Sequence, residues 1–258
     1  MARVLVVRAH PFDSSVSRSM KVLDAFLEEY KALNPYDRIK DMNLYEVAIP
    51  EIDRDLLTAW KELSKGVLFD QLTSRQQEKV TLFNHYTDDF VSMDKIIIAN
   101  PLWNMHVPSR LKTWIDTITV AGQTFRYTES GAVGMVPDKK LLHIQANGGI
   151  FDGSDPASQY IKSIFHFLGV EEISQLFVEG MDTYPDRADE IVRSKEPNNW
   201  PKHSDEQSTA KRKSVIFGLP FFSLFRIIQR SKYGCLFQKQ RLFHRLRLGF
   251  PLWHRYRI

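Results

Sequence analysis

Four hydroxyl side chains and an arginine lie within one short segment near the amino terminus. The segment reads His10-Pro11-Phe12-Asp13-Ser14-Ser15-Val16-Ser17-Arg18-Ser19. A helical pattern begins at Ser17, and the first turn of a helix presents unpaired N–H groups and a positive partial charge. The segment therefore predicts a phosphate-binding loop, loop one, in which serine hydroxyls two residues apart add further donors. The alternative is that Ser17 only caps the helix.

A second segment carries an aromatic ring, an amide and a thioether between two prolines. It reads Asn100-Pro101-Leu102-Trp103-Asn104-Met105-His106-Val107-Pro108 and is called loop two. The prolines fix φ and stiffen the loop. A rigid apolar shelf with one amide suits a flat heteroaromatic ring whose polar edge is recognised by backbone groups. The alternative is that Trp103 belongs to the core, since tryptophan is usually largely buried.

A third segment, loop three, contains paired glycines in Gln145-Ala146-Asn147-Gly148-Gly149-Ile150-Phe151. Glycines allow the backbone to approach a ligand closely, but they also make ordinary turns. The chain has no Gly-x-Gly-x-x-Gly and no Gly-x4-Gly-Lys-[Ser/Thr] motif, which argues against a dinucleotide-binding turn and a P-loop. The histidines, including His10, His106 and His143, are not spaced as metal ligands, so no metal is expected.

Each of these loops follows a predicted β-strand. Apolar runs predict strands over residues 3–9, 95–100, 140–145 and 173–178, and residues 37–44 are a further strand candidate. Helices are predicted from residue 17 to before 34, in stretches up to 88, and over 108–118, 156–168 and 185–195. This alternation predicts an α/β fold: a flavodoxin-like, doubly wound, five-stranded parallel sheet with helices on both faces. Ligands bind such sheets beyond the carboxyl ends of the strands, so the three loops should converge there.

The charge distribution divides the chain into two parts. Residues 1–210 hold all 31 acidic residues and 23 of the 35 basic ones, a net charge of −8, whereas residues 211–258 hold twelve basic residues, ten aromatic residues and no acid. We therefore expect a flavodoxin-like domain over residues 1–200 and a linker with a basic, aromatic tail over 201–258. The tail suggests either a membrane-surface or nucleic-acid patch or an appended stretch, such as out-of-frame translation, without an evolved role.

Cysteine content and hydropathy indicate a cytoplasmic setting. Cys235 is the single cysteine, so this chain by itself cannot form an internal disulfide or a zinc–thiolate site. The sequence shows neither a secretory signal pattern nor an apolar stretch long enough to span a bilayer. We expect neither nucleic acid nor membrane as a partner unless the basic tail is functional.

Several longer motifs resemble one known family. Pro101-Leu102-Trp103-Asn104, Pro108-x-x-Leu111-Lys112-x-x-Ile115-Asp116 and Ala121-Gly122-x-Thr124-Phe125-x-Tyr127-Thr128-Glu129 occur in the order seen in FMN-dependent NADH-azoreductases, which are also NADH:quinone oxidoreductases. Ala9-His10-Pro11, Ser17-Arg18-Ser19 and Ala146-Asn147-Gly148-Gly149 are similar to the same family. The resemblance covers roughly residues 1–195.

The resemblance implies a homodimer with two non-covalent FMN molecules near the interface, NADH as electron donor, and quinones or azo compounds as acceptors. It implies no catalytic side chain, because the flavin N5 carries the hydride. By carry-over, Ser17, Arg18 and Ser19 surround the FMN phosphate. The other cofactor contacts implied are His10, Pro101, Leu102, Trp103, Asn104, Met105, Asn147, Gly148 and Gly149.

Two positions depart from the family pattern. The family often has an aromatic residue where Met105 stands, which would change the stacking on the flavin ring. It often has arginine where Asn147 stands, so one cation near the flavin would be missing and the anionic reduced flavin would be less favoured.

The implied reaction is a two-electron reduction in which NADH and then the acceptor occupy one pocket over the flavin. Candidate walls of this pocket are Phe125, Tyr127 and Phe151, each of which is equally compatible with a core position. The rival hypothesis is a flavodoxin-like electron carrier or FMN-binding protein without its own turnover. A third possibility is that the tail prevents folding or dimerisation, leaving no activity.

Overall fold

One five-stranded parallel sheet organises the chain. A computed structural model describes residues 1–199, and the predicted tail over 201–258 lies outside the described residues. The sheet has the strand order β2-β1-β3-β6-β7, and a separate antiparallel hairpin consists of β4 and β5. The strands are β1 (Arg3–Arg8), β2 (Arg38–Asn43), β3 (Lys95–Pro101), β4 (Phe125–Thr128), β5 (Gly131–Gly134), β6 (Lys140–Asn147) and β7 (Glu172–Glu179).

Helices cover both faces of the sheet. They are α1 (Arg18–Leu33), α2 (Arg54–Ser64), α3 (Ser74–Ser92), α4 (Ser109–Ile118), α5 (Pro156–Phe167) and α6 (Ala188–Ser194). On one face, Leu5 and Ile96 join a buried cluster with Phe90 of α3, Trp114 of α4 and Phe165 of α5. Helix α1 contacts β3, β6 and α6 on the other face. In the part of the chain that the structure describes, no helix is both long and apolar enough to cross a membrane.

The predicted flavodoxin-like fold is confirmed by the parallel strand order, and the inner strand β1 buries both of its faces as the sequence indicated. Val4, Leu5, Val6 and Val7 are each at most 1% exposed, which explains why their run shows no period-2 alternation. The five predicted strands are present with ends shifted by a residue or two. The predicted helix at 185–195 instead begins with a 3₁₀ turn over Pro185–Arg187 before α6.

The strand order places a ligand crevice between two particular strands. From β1 the chain proceeds to β2 on one side and then returns to β3 on the other side. The order therefore reverses between β1 and β3, and their carboxyl ends lead into loops one and two. Loop three follows β6, the next strand beside β3. In sheets of this kind, ligands occupy the crevice outside such a reversal point.

Candidate functional site

Loop one is held in place by its own polar groups. The Asp13 carboxylate accepts hydrogen bonds from the Ser15 N–H and hydroxyl, which lowers its pKa, and the Asp13 carbonyl accepts from the Ser17 N–H at 2.8 Å. The Ser17 hydroxyl caps α1 by accepting from the Met20 N–H at 3.3 Å. The capping interpretation of Ser17 is thus confirmed, and it does not conflict with an anion at the same helix end.

The donors at this helix end differ in accessibility. The hydroxyls of Ser17 and Ser19 are 3.1 Å apart and both residues are buried. Arg18 is half-exposed, and it lies in the first turn of α1, where backbone N–H groups have no intrahelical acceptor. An incoming anion would therefore meet the Arg18 guanidinium and the backbone before it meets the serine hydroxyls.

Loop two projects its apolar side chains into solvent through a tight turn. The Trp103 and His106 backbones exchange two hydrogen bonds of 2.9 and 3.0 Å, and Asn104 and Met105 between them have φ of 50° and 62°. This is a type I′ turn, and a left-handed conformation costs methionine more than asparagine. Trp103 is 40% exposed and Met105 is 47% exposed. The alternative that Trp103 belongs to the core is therefore wrong; Trp114 is the fully buried tryptophan of this region.

An aromatic contact joins loop one to loop two. The ring centroids of His10 and Trp103 are 5.3 Å apart, and His10 also lies 5.8 Å from the Phe12 ring. Burial lowers the pKa of His10 although the Phe12 backbone opposes this effect. A largely neutral imidazole here extends the apolar shelf of Trp103 towards the start of α1.

Loop three presents its backbone to the crevice and keeps its first side chain inside. The Asn147 side chain is fully buried, donating to Glu179 Oε1 at 2.7 Å and accepting from Gln145 Nε2 at 3.0 Å. The following residues, Gly148 and Gly149, are half-buried. A ligand at this edge would thus meet the backbone of loop three rather than the Asn147 amide.

The segment after β7 also belongs to the site, and the sequence analysis did not identify it. The N–H groups of Gly180 and Asp182 donate to the carbonyls of Gly149 and Gly148 at 3.0 and 2.9 Å. The Asp182 carboxylate lies 3.6 Å from Arg18, and a Cβ added to Gly148 would collide with it. The sequence could have indicated this segment, because predicted strand β7 is parallel to the others and its carboxyl end lies at the same edge of the sheet.

Two predicted substrate contacts lie elsewhere in the chain. Phe125 is buried, with its ring 4.7 Å from that of Phe167 at the carboxyl end of α5. Since α5 runs antiparallel to the strands, this contact lies at the opposite edge of the sheet from the three loops. Tyr127 packs edge-on against Phe125 and is 76% exposed. Only Phe151, which is half-buried in loop three, lies beside the crevice of its own chain.

The other predicted cofactor contacts belong to three loops that contact one another. The predicted residues are His10, Ser17, Arg18 and Ser19 in loop one, Pro101, Leu102, Trp103, Asn104 and Met105 in loop two, and Asn147, Gly148 and Gly149 in loop three. Leu102 ties the last two loops together, because its N–H donates to the Ala146 carbonyl at 2.9 Å. Within residues 1–199, no group of three histidine, cysteine, aspartate or glutamate side chains is arranged to hold a metal ion.

This donor set suits a flat, phosphate-bearing ligand. A helix amino terminus with a half-exposed arginine attracts a phosphate, and the exposed Trp103 and Met105 offer apolar surface for an aromatic ring beside it. A family model described as "Flavodoxin-like fold" matches residues 2–197.

The chain belongs to this flavodoxin-like family.

Curated relatives in the family are similar along most of their length. The FMN-dependent NADH:quinone oxidoreductase of Streptococcus suis is 46% identical over 191 residues, which is 74% of this chain and 93% of the relative. A protein of the same name from Bacillus pumilus is 43% identical over 196 residues, with the same coverage of both chains.

Solved structures in the family have the same fold. An azoreductase from Bacillus anthracis strain Sterne superimposes with a TM-score of 0.70 at 29% identity, covering 84% of this chain and 99% of that one. An FMN-dependent NADH-azoreductase from Bacillus anthracis strain Ames Ancestor, solved in complex with FMN, has a TM-score of 0.67 at 33% identity and covers 76% and 98%.

Proposed function

We propose that this flavodoxin-like protein is an FMN-dependent NADH:quinone oxidoreductase that also cleaves aromatic azo compounds reductively. The single observation that carries this function is the 46% identity to a relative of that name across 93% of the relative's length. The three loops support it as well, because a helix amino terminus with an arginine suits the FMN phosphate and an exposed apolar surface suits its ring. A cytoplasmic location agrees with this proposal, because the electron donor would be NADH.

In this proposal the FMN phosphate lies at the start of α1. Arg18 and the backbone N–H groups of the first turn would neutralise the phosphate. The buried hydroxyls of Ser17 and Ser19 would hold that turn in place. Trp103 and Met105 would hold the ring system, Asn104 would lie beside it, and His10 would close the side towards the phosphate. The backbone at Asn147, Gly148 and Gly149 faces the pyrimidine edge, where close approach favours residues without a Cβ.

When bound, FMN supplies the two-electron redox chemistry between NADH and a quinone or azo acceptor. The protein binds FMN and orients the substrates against it. Loop two holds its exposed apolar side chains on a rigid turn, so that a planar substrate can stack where water would otherwise lie. A largely neutral His10 adds no charge to this surface. None of the crevice side chains needs to act as a nucleophile.

We also propose a homodimer in which the exposed β4–β5 hairpin of one protomer contacts its partner. Phe125 and Tyr127 lie at the far edge of their own sheet, yet Tyr127 is 76% exposed on the β4–β5 hairpin. In a dimer, this hairpin would give one protomer a route to the crevice of its partner. Tyr127 is therefore retained as a substrate contact across such an interface, whereas Phe125 is a core residue of its own chain.

The flavin content of the purified protein tests the proposal. We expect a yellow protein that releases FMN rather than FAD on denaturation, because the crevice has one phosphate-binding helix end and the sequence has no motif for a second nucleotide. Anaerobic NADH should then bleach the flavin absorbance in a single two-electron step. Recovery of FAD, or of no flavin after reconstitution with FMN, would contradict the assignment. Flavin that NADH cannot reduce would favour an electron carrier without its own turnover.

A further inference from the structure

A stripe of polar side chains runs through the interior of β6. His143, Gln145 and Asn147 alternate along the strand, and each is fully buried. With the period-2 geometry of a strand they share one face, and the stripe extends about 13 Å from His143 to loop three. Their neighbours in register are Asn100 on β3 beside Gln145, and Gln175 on β7 beside His143.

The hydrogen bonds of this stripe have a single direction. The Gln175 amide nitrogen donates to the Ser158 carbonyl at 3.0 Å, so the same nitrogen donates to His143 Nδ1 at 3.1 Å. His143 Nδ1 is then an acceptor, and the ring proton lies on Nε2, which donates to Asn100 Oδ1 at 2.8 Å. Burial lowers the pKa of His143 to about 4, consistent with a neutral ring.

The direction continues from Asn100 to the loops. The Asn100 amide nitrogen donates to the Pro101 carbonyl at 2.9 Å and to Gln145 Oε1 at 3.4 Å. Gln145 Nε2 donates to Asn147 Oδ1 at 3.0 Å and to Asp155 Oδ1 at 2.9 Å. Asn147 Nδ2 donates to Glu179 Oε1 at 2.7 Å.

Glu179, the last residue of this series of hydrogen bonds, holds the turn at Phe151 and Asp152 in loop three. The Glu179 carboxylate accepts the N–H groups of Phe151 and Asp152 at 3.2 and 3.0 Å. Asp152 has φ of 50°, an uncommon conformation for a residue with a Cβ. Asp152 and Gly153, with φ of 50° and 73°, form a turn that the Asp-Gly sequence itself favours, and the carboxylate adds two hydrogen bonds that tie this turn to β7. One buried chain thus begins at His143, contacts loop two at Pro101 and ends on loop three.

We propose that His143 is a positioning residue for the flavin crevice, acting through Asn100, Gln145, Asn147 and Glu179 to hold loops two and three in register. The inference rests on the proposed FMN site. Asn100, Gln145 and Asn147 each have a hydrogen-bond partner at both ends of the amide. Reversing one of them would place donor against donor or acceptor against acceptor, so the three amides keep one common orientation. His143 contacts no ligand in this arrangement and acts through the backbone of the loops.

The test compares His143→Leu with His143→Gln. Leucine leaves Asn100 Oδ1 without its donor, and the Gln175 amide nitrogen keeps only its hydrogen bond to the Ser158 carbonyl. Glutamine retains a donor near the position of Nε2. In the FMN-free protein, we expect His143→Leu to increase amide hydrogen exchange at Phe151 and Asp152 by about tenfold or more, with wild-type exchange largely retained in His143→Gln. The dissociation constant for FMN should rise about tenfold in the leucine variant alone.

Leu176→Ala is the matched control. Leu176 is buried on β7 next to Gln175 but points to the other face of the sheet, so its truncation lowers global stability without touching the chain. It should leave the two amides and FMN affinity near wild type, and any increase it causes measures the share due to global unfolding. If His143→Leu does not fold, Gln175→Leu at a half-buried position removes the donor that fixes the His143 ring proton on Nε2, and it should increase exchange at the same two amides.

Unchanged exchange at Phe151 and Asp152 in the folded His143→Leu or Gln175→Leu protein would overturn the inference. An increase equal to that in Leu176→Ala would overturn it too, because the effect would then be global. Failure of the wild-type protein to bind FMN would remove the proposed function instead, and the exchange of the FMN-free protein would still decide whether His143 holds loop three.

Discussion

Arg18 is the residue on which the proposed phosphate site depends most. Its guanidinium is half-exposed at the start of α1, and its one described ionic partner is Asp182 at 3.6 Å, whereas the neighbouring serine hydroxyls are buried. Hydrogen bonds to charged groups contribute about 1.5–3 kcal/mol each. We therefore expect Arg18→Ala to weaken FMN binding about 10- to 150-fold, measured by fluorescence titration of the apoprotein.

Lys31→Ala provides the control for Arg18→Ala, because it removes the same charge from the last turn of the same helix. It should leave FMN affinity unchanged. Equal weakening by both variants would mean that the effect is only one of net charge, and unchanged affinity in Arg18→Ala would place the phosphate elsewhere.

The buried imidazole of His143 makes stability depend on pH. Burial lowers its pKa to about 4, below the ordinary value of 6.5, so between these pH values the unfolded chain takes up a proton that the native protein does not. The free energy of unfolding should therefore fall as the pH falls from 6.5 to 4, by up to about 3 kcal/mol. Urea unfolding across this range measures the slope.

In His143→Gln this contribution to the pH dependence should disappear, whereas replacing the exposed His85 by glutamine should retain it. A His143→Gln protein with the wild-type pH profile would show that other groups cause the slope.

At the scale of elements, periodicity predicted the parallel sheet well because burial dictates it. Strands covered on both faces need continuous apolar runs, and such runs occur at β1 and β3. Strand β6 combines the same burial with a polar residue at every second position from His143 onwards. That alternation was visible in the sequence, but only the neighbouring strands show that the polar groups satisfy one another.

The β4–β5 hairpin was missed for a related reason. Its strands have four residues each, and apart from Phe125 they are mostly exposed, so they carry little apolar signal. Loop two shows a similar limit. Nothing in Trp103-Asn104-Met105-His106 demands a left-handed methionine, and the conformation exists because the flanking strand and helix fix the ends of the turn.

At the scale of the whole molecule, the crevice expected at the strand-order reversal predicts that both substrates use one space in turn. We expect ping-pong kinetics: double-reciprocal plots against NADH at several quinone concentrations should be parallel, and excess quinone should compete with NADH. Stopping the chain after Lys211 should leave this pattern unchanged if the basic tail is an appendage. Intersecting lines would indicate a ternary complex and two separate sites. Loss of flavin in the shortened protein would show that the tail contributes to the working fold.

The sequence by itself determined the strand-helix alternation, the family resemblance and the three loops, because each depends on local residue types and on their order along the chain. Tertiary structure alone decided which groups meet. It brought Asp182 to Arg18 and Glu179 to loop three, left Trp103 exposed, and separated Phe125 and Tyr127 from the crevice. Such contacts depend on strand register and on packing between residues far apart in the chain. A local sequence pattern does not show which of these distant residues come into contact.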